Sequence, residues 1–490
     1  MAERKIALGL YLLEALHRRG LSQIYGIPGD FALNFFQAIE KYKKLKLKTF
    51  SHEPGLGFAA DGASRITRKL SAVAITFGAG ALNIVNAVAC AYAEKSPLVV
   101  ISGAPGLHER SPGILFHHQA KNLQSQKKIF QEITVYQAVL EDPLTAVEEI
   151  EKTLTLAEEL ASPVYLEIPR DLVWTKVPVP SKLPSLALSE DAHAGREAAR
   201  EIAERTKAAK RPVLMIGVEV HRFDLIRKVV KLAERMQVPV VSSFMARGTF
   251  PVDHRLFAGT YLGPAGDPKV MSMVENSDAL LLLGVLLADT NMAVRLGRLN
   301  PAHLVHAISR QVTVGHHHYD DVSLEKLIDH LLAEIPKSKP RRIAKAHPFP
   351  QLKKNSFFDG SSLTVEAIIQ AINLLFHRKG SMPVVADNGD CLFASLDIHT
   401  PSLLASGYYA TMGFAVPAGM GVQLGGGKRP LILVGDGAFQ MTGPEISHCP
   451  RFGLNPIVIV FNNRSWEMLR SIQPQGDYFG LTPWDFAALA

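Results

Sequence analysis

Leu431–Asn463 reads LILVGDGAFQMTGPEISHCPRFGLNPIVIVFNN. Leu431 to Val434 is a short apolar run that ends at Gly435-Asp436-Gly437, the pattern of a buried parallel strand opening into a tight turn. A helix is expected from Gln440 to about Arg451. Pro456 to Phe461 repeats the buried-strand pattern and ends at Asn462-Asn463. Two neighbouring strands would then deliver Asp436 and Asn463 to one edge, and open α/β sheets bind ligands at the carboxyl ends of their strands. A carboxylate and an amide oxygen are hard ligands of the kind Mg2+ takes while sharing its shell with water and phosphate oxygens. The glycines let the backbone approach a diphosphate. A strand, an Asp-capped helix and an Asn-Asn turn would use the same residues. The two motifs at this separation, each closing an apolar strand, favour the cation site.

Outward from this segment the chain divides into α/β units. In residues 1–180, helical periodicity runs from Ile6 to Arg19, with Leu8, Leu12, Leu13 and Leu16 on one side. Ile24–Asp30 is a strand entering a turn, Val73–Phe77 and Leu98–Ser102 are buried strands, and Val164–Pro169 closes the domain. Residues 181–195 form a polar linker. A middle domain, 195–340, carries strands at Val213–Gly217, Val238–Ser243 and Ala279–Gly284, and the basic, proline-bearing stretch Ile335–Pro350 ends it. A third domain, 356–490, holds the opening segment. Strands alternating with helices predict α/β domains with mostly parallel sheets.

With 490 residues, 47% hydrophobic and 20% charged, the chain has the composition of a globular protein with large cores. The net charge of +7 is scattered. The densest runs, Lys41–Lys48 and Lys337–Lys345, read as a solvated loop and a linker, so no nucleic-acid partner is expected. Cys90, Cys391 and Cys449 lie far apart without metal-site spacing, which points to a reducing, cytoplasmic location. The apolar runs are too short to cross a bilayer, and no membrane partner is expected.

The first domain adds a constellation. Ser51-His-Glu-Pro54 puts Glu53 at the start of a helical, small-residue run, Gly55–Arg65, where it could equally be a helix cap. Gly78-Ala-Gly80 and Asn83 form a turn fit for close ligand approach, and Phe116-His117-His118-Gln119 places two imidazoles in a loop. None is specific alone.

Together, IPGD, SHEP, AYAEKSPLVVISG, the histidine pair, GDG and NN stand in the order found in thiamin diphosphate-dependent 2-oxo acid decarboxylases, and the chain resembles that family over essentially its whole length. Asn462–Pro474, Phe31-Ala-Leu33 and Asp387–Phe393 look most like the phenylpyruvate and indolepyruvate decarboxylases. The resemblance implies a pyrimidine-binding domain, a middle domain and a diphosphate-binding domain that stops short of the family's final strand and helix. It implies thiamin diphosphate with Mg2+ on Asp436, Asn463 and the Ser465 carbonyl. It also implies a homodimer or homotetramer with the active site between subunits. Glu53 would hydrogen-bond N1′ of the aminopyrimidine, and Met412 would wedge the cofactor. Gly389, Asp390, Ala410, Gly435, Gly437, Ala438 and Trp466 would contact it. Asp30, His117 and His118 match the group that handles protons and the substrate carboxylate.

Pyruvate decarboxylases carry a glutamate where this chain has Leu469, and Glu467 would point elsewhere on a helix. Asp289 is a candidate replacement acid, or else a cap for Thr290-Asn291. The implied activity is non-oxidative decarboxylation of an aromatic 2-oxo acid, phenylpyruvate or indole-3-pyruvate, to the aldehyde and CO2. Aliphatic or branched-chain substrates, or a cofactor-binding but inactive protein, remain open alternatives.

Overall fold

The computed structural model describes residues 4–110, 113–183, 186–292, 298–338 and 363–489. Two compact units form, residues 1–188 with 411–490, and residues 189–410.

The first unit begins with strands β1 (Arg4–Ala7), β2 (Gln23–Gly26), β3 (Lys46–Thr49), β4 (Ser71–Ile75), β5 (Leu98–Ala104), β6 (Gln137–Val139), β7 (Val164–Pro169) and β8 (Lys176–Val179). Strands β2 to β7 make one parallel sheet in the order β3-β2-β4-β5-β7-β6. Every residue of β4, β5 and β7 is buried, as expected of a parallel sheet covered on both faces. From β2 the chain moves outward to β3, whereas from β4 it moves the other way to β5. The crevice at the carboxyl ends of β2 and β4 is therefore a switch point, the place where such sheets bind ligands.

Two local expectations need correction. The first helix is Leu8–Arg18, not Ile6–Arg19, because Arg4–Ala7 pairs antiparallel with β8. The Leu8 and Gly9 amides then bond to the Thr175 and Val173 carbonyls. The lysine-rich stretch is not wholly a loop, since Lys46–Thr49 is the edge strand β3, paired with β2. Lysines on an edge discourage further strand pairing, and Lys48 also lies over the Phe452 ring at 4.9 Å.

In the second unit, β9 (Pro212–Ile216), β10 (Val240–Ser242), β11 (Phe257–Thr260), β12 (Ala279–Leu283), β13 (Leu304–Ile308), β14 (Gln311–Val314) and β15 (His317–Tyr319) form a sheet in the order β11-β10-β9-β12-β13-β14-β15. It is parallel through β13 and antiparallel across β14 and β15. Strands β16 (Val384–Ala386) and β17 (Leu403–Ala405) pair in parallel. The helix Ala192–Ala208 starts inside the expected linker because Asp191 caps it, accepting from the His193 and Ala194 amides. Most of Ile335–Pro350 lies outside the described residues.

Back in the first unit, β18 (Leu431–Gly435) and β19 (Ile457–Phe461) are parallel neighbours, with Gly435 opposite Phe461. The intervening helix is broken. It starts at Asp436 rather than Gln440, runs to Thr442, tightens into a 3-10 segment Gly443–His448 at Pro444, and resumes at Cys449–Phe452. Proline lacks the amide an uninterrupted helix would use.

The helix Glu53–Thr67 crosses Ala415–Gly426 at very close range. A Cβ at Gly62 would lie 2.2 Å from the Ala418 carbonyl oxygen, and one at Gly421 would lie 1.8 Å from that of Ala59. Beside this crossing, buried Arg65 bonds Asp61 at 2.6 Å and Glu94 at 2.7 Å and lies over Phe414. Small residues permit the approach, and the paired charges fix the axial position of the helix that presents Glu53.

Candidate active site

Strands β2 and β4 each end in one arm of the site. Beyond β2, Gly29-Asp30 turns the chain. Beyond β4, Thr76–Gly78 leads into the short helix Ala79–Asn83. Gly29 is obligatory by packing, since a Cβ there would lie 2.5 Å from the Thr76 side chain.

Asp30, His117 and His118 come together, with ligand-type atoms all within 4.8 Å of one another. His117 Nε2 bonds Asp30 Oδ2, and the imidazole stacks on Phe31 at 4.7 Å. His118 Nδ1 faces the Phe77 carbonyl at 3.3 Å. A carbonyl only accepts, so Nδ1 of His118 carries a proton, and Nε2 is the ring nitrogen left for a ligand. By the same argument His117 presents Nε2–H to Asp30. Burial pushes the Asp30 carboxyl up, but hydrogen bonding to His117 and the Phe31 amide, with the charges of both histidines, brings it below its usual range.

Glu53 is the first residue of its helix, as expected, with Pro54 next. It is half-buried, and its Oε2 accepts from Asn83 Nδ2 at 2.6 Å. Its other oxygen lies near Gly80, where an added Cβ would be 3.3 Å away. Sequence reading missed the residue that holds this helix end. Glu445, 3% exposed, accepts from the Ser51 amide at 3.1 Å and the His52 amide at 2.9 Å. His448 Nε2 lies 2.9 Å from Ser51 Oγ and 3.3 Å from Glu445 Oε2. Burial, reinforced by the nearby Glu53 charge, raises the Glu445 carboxyl, while the two amides pull it back in part. The signal was present as Glu445 and His448 spaced i, i+3, but their partners lie in a distant part of the chain.

Asp436 and Asn463 leave the adjacent ends of β18 and β19. Asp436 is 3% exposed; Oδ1 accepts from the Gly437 amide at 2.9 Å and Oδ2 from the Arg464 amide at 2.6 Å. Arg464, between Asn463 and Ser465, has φ +58°. Asn463 is exposed and its Oδ1 accepts from the Ser465 amide at 3.1 Å. The Trp466 ring covers Gly437, where a Cβ would collide at 2.1 Å, and Ala438 is buried beside it. Nothing lies within 4 Å of a Cβ built on Gly435.

Met412 is half-buried between pinned neighbours. Thr411 Oγ1 accepts from Asn86 Nδ2 at 2.9 Å, and the Gly413 carbonyl accepts from Thr442 Oγ1 at 2.6 Å. In the other unit, Gly389 (φ +85°) precedes the helix that opens at exposed Asp390. Ala410 (φ +58°) offers its carbonyl to Asn388 at 3.0 Å. Asp289 is exposed, and its Oδ1 accepts from the Thr290 amide at 2.7 Å, the local capping arrangement. Leu469 is 52% exposed on the helix Glu467–Ile472, and Glu467 pairs with Arg470 at 3.2 Å.

These features fit a thiamin diphosphate–metal pair. Asp436 and Asn463 are hard oxygen donors beside an open glycine, a set suited to a divalent cation with phosphate. Thr76 Oγ1, at the start of the Glu53 arm, is buried with no hydrogen-bond partner among the described residues, as a hydroxyl that meets a bound ligand would be.

Comparison with known proteins agrees on the thiamin diphosphate. Residues 6–133 match the N-terminal TPP binding domain of thiamine pyrophosphate enzymes, residues 199–335 the central domain, and residues 388–490 the C-terminal TPP binding domain. The chain belongs to the thiamine pyrophosphate enzymes, in their 2-oxo acid decarboxylase family. It is 48% identical over 483 residues to an indole-3-pyruvate decarboxylase of Azospirillum brasilense, covering 98% of this chain and 88% of that protein. It is 28% identical to pyruvate decarboxylase isozyme 2 of Saccharomyces cerevisiae, over 99% of this chain and 88% of that one. It is also 28% identical to an alpha-keto-acid decarboxylase of Mycolicibacterium paratuberculosis, over 98% and 86%.

Proposed function

We propose that the protein converts an aromatic 2-oxo acid, indole-3-pyruvate or phenylpyruvate, to its aldehyde and CO2 without net oxidation, using thiamin diphosphate and Mg2+. The observation that carries this reading is the 48% identity, across 98% of the chain, to an enzyme named for indole-3-pyruvate. Leu469 supports the aromatic preference, because an apolar residue at that position favours a large apolar side chain.

When bound, thiamin diphosphate supplies the electron sink that accepts the pair released as CO2 departs. Asp436 and Asn463, with the Ser465 carbonyl, would hold Mg2+, while Gly435, Gly437 and Ala438 would admit the diphosphate beside Trp466. Met412 would pack against the cofactor. For Gly389, Asp390 and Ala410 a cofactor contact rests on the resemblance alone, as does an acid role for Asp289. Glu53 holds a proton toward the cofactor's pyrimidine, and the Asn83 amide keeps Oε2 occupied so that Oε1 is the oxygen free to do so. Asp30 holds a proton on His117 Nε2, and His118, with Nδ1–H on the Phe77 carbonyl, presents Nε2 as the position that takes up or returns a proton during the reaction. The division into pyrimidine-binding (1–180), middle (195–340) and diphosphate-binding (356–490) domains, a homodimer or homotetramer, and a cytoplasmic location complete the proposal. The three free, buried cysteines fit a reducing compartment. Among the described residues no helix is long and apolar enough to cross a membrane.

The test is aldehyde release from indole-3-pyruvate, phenylpyruvate, pyruvate and a branched 2-oxo acid, with the cofactor and Mg2+ supplied. The aromatic acids should show the highest kcat/KM. A preference for pyruvate would transfer the reading to aliphatic substrates, and no turnover of any acid would leave only cofactor binding.

A further inference from the structure

Gln126 is not part of any motif singled out in the sequence, and it is 2% exposed. It lies on the helix Ser125–Gln131, which follows the histidine-pair loop. Its Oε1 accepts from the Gly78 amide at 2.6 Å. Its Nε2 donates to Ser102 Oγ at 2.9 Å and to Tyr165 Oη at 2.6 Å. The direction of the network is set from its far ends. Tyr165 donates to Glu167 Oε2 at 2.6 Å and Ser102 to the Gly103 carbonyl at 3.0 Å, so both hydroxyls have a lone pair left to accept from the amide nitrogen. The amide oxygen must then face Gly78.

Gly78 is where both arms of the site meet. It has φ +67°, and a Cβ there would lie 1.9 Å from the His118 carbonyl oxygen, so the histidine loop rests directly on it. The preceding carbonyl, Phe77, faces His118 Nδ1. Gly78 also starts the helix Ala79–Asn83, whose last residue donates to Glu53.

We propose that Gln126 is a positioning residue that fixes the Thr76–Asn83 turn and thereby sets the His118 ring and the Asn83–Glu53 bond at once. The proposal rests on the roles given above to Glu53 and His118. Gln126 touches neither residue; it acts through the backbone of Gly78. Without its acceptor, a buried N–H at the pivot of a left-handed turn loses its partner, and the turn is free to shift relative to both arms.

The experiment compares wild type, Gln126→Met and Tyr165→Phe as full-length holoenzymes with thiamin diphosphate and Mg2+. The readouts are kcat on the best aromatic acid, thermal unfolding, and amide hydrogen exchange of peptides covering residues 76–84. Tyr165→Phe cuts the same network on the side away from Gly78 and reports its purely structural share. In wild type the Gly78 amide should be protected. Gln126→Met should exchange about tenfold faster in residues 76–84 and lose about 100-fold in kcat, the scale of an ångström misplacement. Tyr165→Phe should keep kcat within about threefold at a similar loss of thermal stability. An unprotected Gly78 amide in wild type overturns the proposal whether or not the variants fold. So does a Gln126→Met enzyme that keeps its kcat, or one whose loss is matched by Tyr165→Phe. If wild type turns over no 2-oxo acid, the functional reading fails instead, and the exchange data still decide whether Gln126 holds the turn.

Discussion

Replacing Asp436 by Asn tests whether one carboxylate serves both the local fold and the cofactor. The side chain is buried, and its two oxygens accept from the Gly437 and Arg464 amides at 2.9 and 2.6 Å. Asn is nearly isosteric but has one acceptor oxygen, so its NH2 must face one of those N–H groups. A buried donor left without an acceptor costs about 1–3 kcal/mol. The apoprotein should therefore lose that much stability, with Tm falling by roughly 2–4 °C per kcal/mol for a unit of this size. The second effect is separate. A ligand at 100 times its Kd stabilises by about 2.7 kcal/mol, and the wild type should show that gain with saturating thiamin diphosphate and Mg2+. Asp436→Asn should show much less, because a neutral amide replaces the charged cation ligand. The assay is thermal or urea unfolding of both proteins with and without cofactor and metal, with EDTA as the control that removes the gain from wild type. An apoprotein as stable as wild type would refute the fold argument. An undiminished cofactor-induced gain would refute the ligand argument.

Glu53→Gln should leave the fold and most cofactor binding intact while lowering kcat by at least about 100-fold; near-normal turnover would remove Glu53 from the proton path. Because the folded-state pKa of Asp30 is depressed, its pairing with His117 contributes stability above the unfolded value near 3.8 and loses it as pH falls through the folded one. The stability gap between wild type and Asp30→Asn should thus close as pH falls below about 4, and a gap that widens with acid would contradict the assignment. Leu469→Glu should lower kcat/KM for phenylpyruvate relative to pyruvate by about tenfold, and an unchanged ratio would sink the specificity argument.

The setting of the proposed cation-site residues was legible in the sequence because it is local. Leu431–Val434 and Ile457–Phe461 announce buried strands by composition, and parallel pairing of two such strands puts Asp436 and Asn463 at one edge. Glu53 was legible for the same reason, as the first residue of a small-residue helix behind Pro54. The breaks in the following helix were partly legible, since Pro444 and Pro450 stand in the sequence, yet the expectation of one helix from Gln440 to about Arg451 passes over them. What needed the tertiary structure is every partner far away in the chain. Local periodicity carries no trace of Glu445 reaching the Ser51 and His52 amides, of Gln126 holding Gly78, or of the extended segment before Leu8 pairing with β8. Sequence pattern records which face of an element is apolar and where an element ends. It does not record which distant amide a buried carboxylate or amide must satisfy, because that follows from packing, and packing brings those atoms together only after the elements have formed.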